Sequence, residues 1–164
     1  ELGDLDSNLA WKTESLGELD SAPVIHEGVA YVGTGSGRLA AIELASGKVQ
    51  WSVPVESAVT ARATVAGNRL CVPTLGGSLA AVDCGQRSVP WSYKTEGPIR
   101  SSPVVGKGYV LIGSEDRWLH AVSESGVLLW KCGSGGKIVA SPAIAGNKVY
   151  FGSDDQVLYA LTLD

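Results

Sequence analysis

"AAIELASGKVQW", residues 40–51, decides how this chain is read. It begins as an apolar strand, passes an acid at Glu43, breaks at Ser46-Gly47 and ends on Trp51. Ser-Gly marks a tight turn, because Gly supplies the positive φ that side chains resist. The closing Trp recurs at Trp11, Trp91 and Trp130, in steps of 40, 40 and 39 residues. A period near 40 is the signature of a repeat architecture.

Working outward from that junction, four 23-residue segments align without a gap: 21–43, 61–83, 101–123 and 140–162. Leu39, Leu79, Leu119 and Leu158 form one unvarying column, and Ala41, Ala81, Ala121 and Ala160 another. Residues two apart on a strand share a face. Each unit therefore presents Leu and then Ala on the side where a neighbouring unit packs. Each unit reads as four short strands separated by polar turns: the "SAPVI" type, the "VAYVG" type, the "LAAIE" type and the Trp strand. Short strands at even spacing imply a sandwich, a barrel or a propeller. Four strands per 40-residue period select the propeller. No stretch has helical periodicity.

From Ala41 the junction reads Ala-x-acid-x-x-Ser-Gly-x-x-x-Trp. This resembles the repeat of the quinoprotein (pyrroloquinoline-quinone-type) β-propellers, Ala-x-Asp-x-x-Thr-Gly-x-x-x-Trp. The second copy, from Ala81 to Trp91, keeps Asp83 but has Gln86-Arg87 in place of Thr-Gly. The third, from Ala121 to Trp130, keeps Ser125-Gly126 and is one residue shorter. The resemblance covers nearly the whole chain and implies an all-β propeller of four-stranded antiparallel blades. It assigns Trp11, Trp51, Trp91 and Trp130 a structural role, docked between neighbouring blades. It also favours an extracytoplasmic or periplasmic setting.

The whole chain, 1–164, is expected to be a single propeller domain. Residues 1–11 form a closing Trp strand, with blade cores near 12–51, 52–91, 92–130 and 131–164. The last copy stops at "LYALTLD" (158–164) without its Trp strand, whereas "DSNLAW" (6–11) is a Trp strand without the three before it. The repeat is circularly shifted by one strand, so the N-terminal strand is expected to complete the last blade. Left open, the third strand there is an exposed edge. Closure within one chain gives a four-bladed ring. Closure between two chains gives an eight-bladed ring, and the symmetric dimer is the preferred expectation. An excised half of a larger ring is the alternative, and a start at Glu1 fits a processed or excised segment.

Net charge is −4, with no basic stripe, so nucleic acid is not an expected partner. No apolar run approaches the ~20 residues of a membrane span. Cys71, Cys84 and Cys132 have no metal-ligand spacing and read as buried or half-buried thiols, one disulfide plus a free thiol being the alternative. "GTGSG" (33–37) precedes a strand and is no dinucleotide fingerprint, and "GSGGK" (133–137) lacks phosphate-loop spacing.

Candidate contact residues fall in two places. One loop column holds "SEDRW" (114–118) and "SDDQV" (153–157), hence Glu115, Asp116, Arg117, Trp118, Asp154 and Asp155. Paired acids there suit Ca²⁺, but Asp and Ser in tight turns more often cap their own backbone. Trp118 lies off the 40-residue register and is expected at the turn tip, where Trp beside Arg marks a protein-contact spot. The second place is the start of the innermost strand, which carries Asp20, Arg62 and Arg100 and, by the resemblance, lines the central channel. The quinone enzymes of the family use a Cys-Cys pair that this chain lacks. No catalytic residue, cofactor or metal is therefore expected. The expected function is a non-catalytic scaffold for protein or peptide partners, with self-association through strand closure. A small-ligand or carbohydrate propeller is the alternative, and half of a quinone-dependent dehydrogenase the third reading.

Overall fold

The computed structural model describes residues 9–163. Its elements are strands alone: β1 (Val24–His26), β2 (Val29–Gly33), β3 (Arg38–Glu43), β4 (Val49–Pro54), β5 (Thr64–Ala66), β6 (Arg69–Pro73), β7 (Ser78–Asp83), β8 (Ser88–Lys94), β9 (Val104–Val105), β10 (Tyr109–Gly113), β11 (Trp118–Ser123), β12 (Leu128–Gly133), β13 (Ala143–Ala145), β14 (Lys148–Gly152) and β15 (Leu158–Thr162). They form four antiparallel sheets, β1-β2-β3-β4, β5-β6-β7-β8, β9-β10-β11-β12 and the three-stranded β13-β14-β15. These are propeller blades, stacked in chain order.

The Leu and Ala columns lie on the face that each blade turns toward the next. Leu39 and Ala41 pack with Leu70, Val72, Ala80 and Val82 of the second blade. Leu79 packs with Val110, Ile112 and Val122 of the third. Leu119 and Ala121 pack with Val149 and Phe151 of the fourth. Leu39, Leu79 and Leu119 are fully buried, each contributing about 2 kcal/mol on burial. Leu158 of the last blade has no blade in front of it and is 73% exposed. The physical difference between these Leu residues is only their place in the stack.

In three blades the ladder between the third and fourth strands slips just after the Ala, at Ala41/Ile42, Ala81/Asp83 and Ala121/Val122. The Trp stands directly opposite that Ala: Ala41 with Trp51, Ala81 with Trp91, Ala121 with Trp130. A methyl group leaves room for the indole, and the irregularity re-aims the outer strand.

The N-terminal strand expected to complete the last blade begins in residues 1–8, which lie outside the described residues. Its described part forms no strand and no ladder with β15. Trp11 and Leu16 instead cover the opposite end of the stack, against Ala30, Val32, Ala40 and Ile42 of the first blade. Three hydrophobic clusters join consecutive blades, the fourth joins Trp11 and Leu16 to the first blade, and none joins the fourth blade to the first. The described chain is an open arc.

Candidate functional site

Two sets of loops meet at one axial end of the arc. The first set is the turns between second and third strands, 34–38, 74–78, 114–118 and 153–157. The second is the connections from one blade to the next. Backbone bonds lace the two sets across every seam: Leu75 N–H to Ala58 O, Glu115 N–H to Pro98 O, and Asp154 N–H to Lys137 O. The connections return a second bond, from Val59 N–H to Thr34 O, Ile99 N–H to Thr74 O and Ile138 N–H to Ser114 O. Val59 and Ile138 press on Gly33 and Gly113, where a Cβ would meet them at 2.1 and 2.2 Å. Ser21 and Ser101 brace the same glycines, each hydroxyl bonded to the Gly backbone.

The acids of "SEDRW" and "SDDQV" are built into this lacing. Asp116 accepts from its own turn at Trp118 N (3.0 Å) and from the preceding blade's exit loop at Glu96 N (3.1 Å). Asp155 repeats the arrangement with Val157 N (3.0 Å) and Gly135 N (2.6 Å). Tyr159 adds its hydroxyl at 2.7 Å, and that bond holds the Asp155 carboxyl below its usual range while raising the Tyr159 phenol. Both carboxylates bond amide hydrogens, the Asp-capping arrangement of tight turns.

Glu115 is different. Arg100 Nε and Lys137 Nζ each approach its carboxylate at 2.6 Å, and these bonds hold its carboxyl below the ordinary range. The Glu115 side chain is 14% exposed, while Arg100 and Lys137 are 51% and 55% exposed. The cluster carries two cations for one anion and ties the start of the third blade to the connection into the fourth.

Trp118 is not at the turn tip. Arg117, with φ of 75°, makes the corner, and Trp118 opens β11 half-buried. Lys131 Nζ lies 4.3 Å from the ring centroid, and Gly133 packs at the ring edge. Arg117 and Asp154 are exposed, as are Asp20 and Arg62 ahead of β1 and β5. The structure thus brings together Arg100 and Glu115, and leaves Arg62 and Asp20 without an ion pair among the described residues.

Sequence reasoning missed Lys137, and it missed that Asp116 joins buried His120 and half-buried Tyr93. His120 Nε2 lies 3.1 Å from Asp116 Oδ2, and Tyr93 Oη 2.9 Å from His120 Nδ1. Burial pushes the His120 pKa down, against the pull of Asp116, and pushes the Tyr93 pKa up. The available signal was the column after the repeated Leu. It holds His120 and Tyr159 four residues beyond Asp116 and Asp155, but Ala40 and Ala80 in the blades that lack those acids. Among the described residues no group of three His, Cys, Asp or Glu side chains is placed to hold a metal ion. The three cysteines are unpaired thiols, Cys71 buried and the others half-buried.

The Trp residues have a repeated geometry. Trp91 Nε1 donates to Glu124 O of the next blade at 2.9 Å, and its ring lies on Gly126, whose Cβ would meet it at 2.7 Å. Trp11 Nε1 donates to Leu44 O at 2.7 Å, and its ring lies on Gly47. Gly47 and Gly126 both have positive φ.

Stacked four-stranded blades with a Trp docked on the next blade's turn define the class: a β-propeller of the quinoprotein repeat type. The chain belongs to the family described as "Outer membrane protein assembly factor BamB", whose sequence model matches residues 3–104 and again 77–164. The solved BamB of Moraxella catarrhalis superposes with a TM-score of 0.81 at 26% identity, over 90% of this chain and 47% of that one. This chain therefore spans about half the length of that BamB chain. The computationally designed Ika4 protein matches with a TM-score of 0.81 at 15% identity, over 92% of this chain and 94% of that one. The designed Ika8 protein matches at 0.78 and 16%, over 88% and 46%. These two share the fold. A comparison with curated protein sequences found no match.

Proposed function

We propose that this chain is a scaffold propeller that engages protein or peptide segments on its laced axial face and catalyses no reaction. One observation carries the reading. The acids of that face that have catalytic or metal-binding potential, Asp116 and Asp155, are spent on backbone amides. The face turns outward Arg62, Arg100, Arg117 and Lys137 beside the exposed acids Asp20, Glu56, Glu96 and Asp154, with Trp118 half-buried at its rim. Arg and Trp are the side chains that most often anchor protein contacts. Family membership alongside an assembly factor points the same way, although one fold hosts many functions.

The test is site-specific photo-crosslinking to an unfolded outer-membrane β-barrel protein. Crosslinkers replacing Arg100 and Trp118 are expected to give adducts, and one replacing Lys107, in the β9–β10 turn at the other axial end, none. Absence of adducts, together with saturable sugar or metabolite binding abolished by Arg62→Ala or Arg100→Ala, would replace this reading with a small-ligand site at the channel mouth. Quinone-dependent dye reduction by the purified chain would refute the non-catalytic part.

A further inference from the structure

The seam between the first and second blades lacks the rings that the later seams contain. One contributor to each seam is the residue opposite the repeated Leu: Val53 opposite Leu39, Tyr93 opposite Leu79, Cys132 opposite Leu119. The other is the residue after that Leu on the following blade, which is Ala80, His120 and Tyr159 in turn. The second seam thus holds Tyr93 against His120. The third holds Cys132 and Tyr159 in one cluster, with Tyr159 stacked on Phe151 at 4.9 Å and 7° between planes. The first holds Val53 and Ala80. Val72 stands beside Ala80 where Phe151 stands beside Tyr159. Small aliphatic groups occupy the place of rings.

A groove of about 500 Å³ opens there. Buried Val53, Val55 and Ala80 line it from within, and Val89 and Ser92 of β8 from the rim. Both blades beside it are four-stranded sheets, so the space belongs to the interior of the stack. Two opposite charges also line it, Glu56 and Arg87. Glu56 follows the end of β4, and Arg87 precedes the start of β8. Equivalent strands of successive blades run the same way, so the two charges lie toward opposite ends of the groove. Glu56 Oε2 accepts from Ser78 Oγ at 2.7 Å, and its other oxygen has no partner among the described residues. Arg87 pairs with no acid among the described residues. It holds the position of Gly47 and Gly126, four residues before the Trp, at φ of 54°. A corner that favours Gly keeps a cation instead. Glu56, at φ of 71°, is a second such corner, and strained corners of this kind gather where ligands bind.

We propose that this groove binds a phenolic acid, a hydroxyphenyl ring that carries a carboxylate. The ring lies over Ala80, in the place that Tyr159 fills on the fourth blade. Its hydroxyl donates to the unpartnered Glu56 oxygen, as Tyr159 Oη donates to Asp155 at 2.7 Å. Its carboxylate meets the Arg87 guanidinium, whose planar fork suits a planar anion. Apolar walls with a few placed polar groups are the usual form of a small-molecule site. The groove runs down the seam away from the axial face, and the inference stands apart from the scaffold reading.

An amide NMR titration of the whole chain with para-hydroxyphenylpropionate is expected to saturate and to shift Ala80, Arg87 and Ser92. Phenylpropionate lacks the hydroxyl, and tyramine replaces the carboxylate by an amine. Each is expected to bind about fivefold more weakly, the scale of one partly exposed charged contact. No saturable shift with the first probe overturns the proposal, and equal affinity for all three overturns the roles of Glu56 and Arg87. Arg87→Gly restores the glycine of the other turns, so it is expected to keep the native circular dichroism and to lose the preference for the carboxylate. Ala80→Tyr puts the fourth blade's ring into the groove and is expected to abolish binding. Ser92→Phe, at an exposed position opposite Ala80, is a second blocking variant that leaves the buried floor intact. Binding that survives Arg87→Gly and a folded blocking variant unchanged overturns the site. Binding lost in Arg100→Ala places the ligand on the axial face and overturns it too. A tyrosine-containing peptide that binds where the free acid does not overturns the small-molecule assignment.

Discussion

Tyr93 of the second blade and His120 of the third are joined across their seam, Oη to Nδ1 at 2.9 Å. The far side of the imidazole settles the proton. The Asp116 carboxylate accepts from Nε2 at 3.1 Å, so Nε2 carries the hydrogen and Nδ1 accepts from the phenol. Both ends of a ring that is 3% exposed are satisfied.

That arrangement makes stability depend on pH. Burial, the larger influence, depresses the His120 pKa below its ordinary 6.5. The unfolded chain therefore takes up the proton at higher pH than the native chain does. Above 6.5 the contribution is whole. It drains away as pH falls from 6.5 through the lowered native pKa. The urea midpoint is expected to drop over that window, and to lose this step in His120→Phe. At neutral pH that variant leaves Tyr93 Oη without its partner and Asp116 with only its two backbone amides, and is expected to cost about 1–3 kcal/mol in urea unfolding.

Gly126 tests the Trp dock. With φ of 85°, and Trp91 where its Cβ would go, Gly126→Ala combines backbone strain with a displaced indole. The control is Gly67→Ala, with φ of 62° and nothing within 4 Å. The control is expected to cost about 1 kcal/mol. Gly126→Ala is expected to cost more, approaching the ~3–5 kcal/mol of truncating a packed Trp such as Trp91. Thermal midpoints of the three variants check the order.

Thiol chemistry should rank the cysteines. Cys71 is 1% exposed, and burial pushes its thiol up to about 12. Burial also raises Cys84, beside Tyr31. The thiolate is the reactive form, so iodoacetamide at pH 8 is expected to modify half-buried Cys132 first and Cys71 only on unfolding. Peptide mass spectrometry reads the order directly.

The Glu115 cluster is held by two cations that are more than half exposed. Solvent and salt screen such pairs. Glu115→Gln is expected to shift stability by less than ~1 kcal/mol, and the difference from wild type is expected to vanish in molar salt.

The architecture was legible because its signals are local and repeated. Trp spacing, the Leu and Ala columns and the Ser-Gly turn all lie within one 40-residue unit, and each recurs. Asp116 and Asp155 were legible as turn caps for the same reason. What sequence hid lies across seams. Tyr93 meets His120 over 27 residues, and Lys137 reaches Glu115 over 22, distances that no periodic pattern encodes. Trp118 was misplaced by one residue, because Arg117 takes the positive-φ corner held by Gly37 and Gly77 in the first two blades.

The lacing bonds have one more consequence. Each seam carries its own pair of backbone bonds and its own hydrophobic cluster, and each blade touches only its neighbours. Such a stack behaves as a one-dimensional chain of coupled units, in which an end unit has half the coupling of an interior one. The fourth blade is the end without a cover. Amide hydrogen exchange in an isolated arc should run inward from β15, fastest there and slowest in β6 and β7, so the molecule frays like a zipper rather than melting at once.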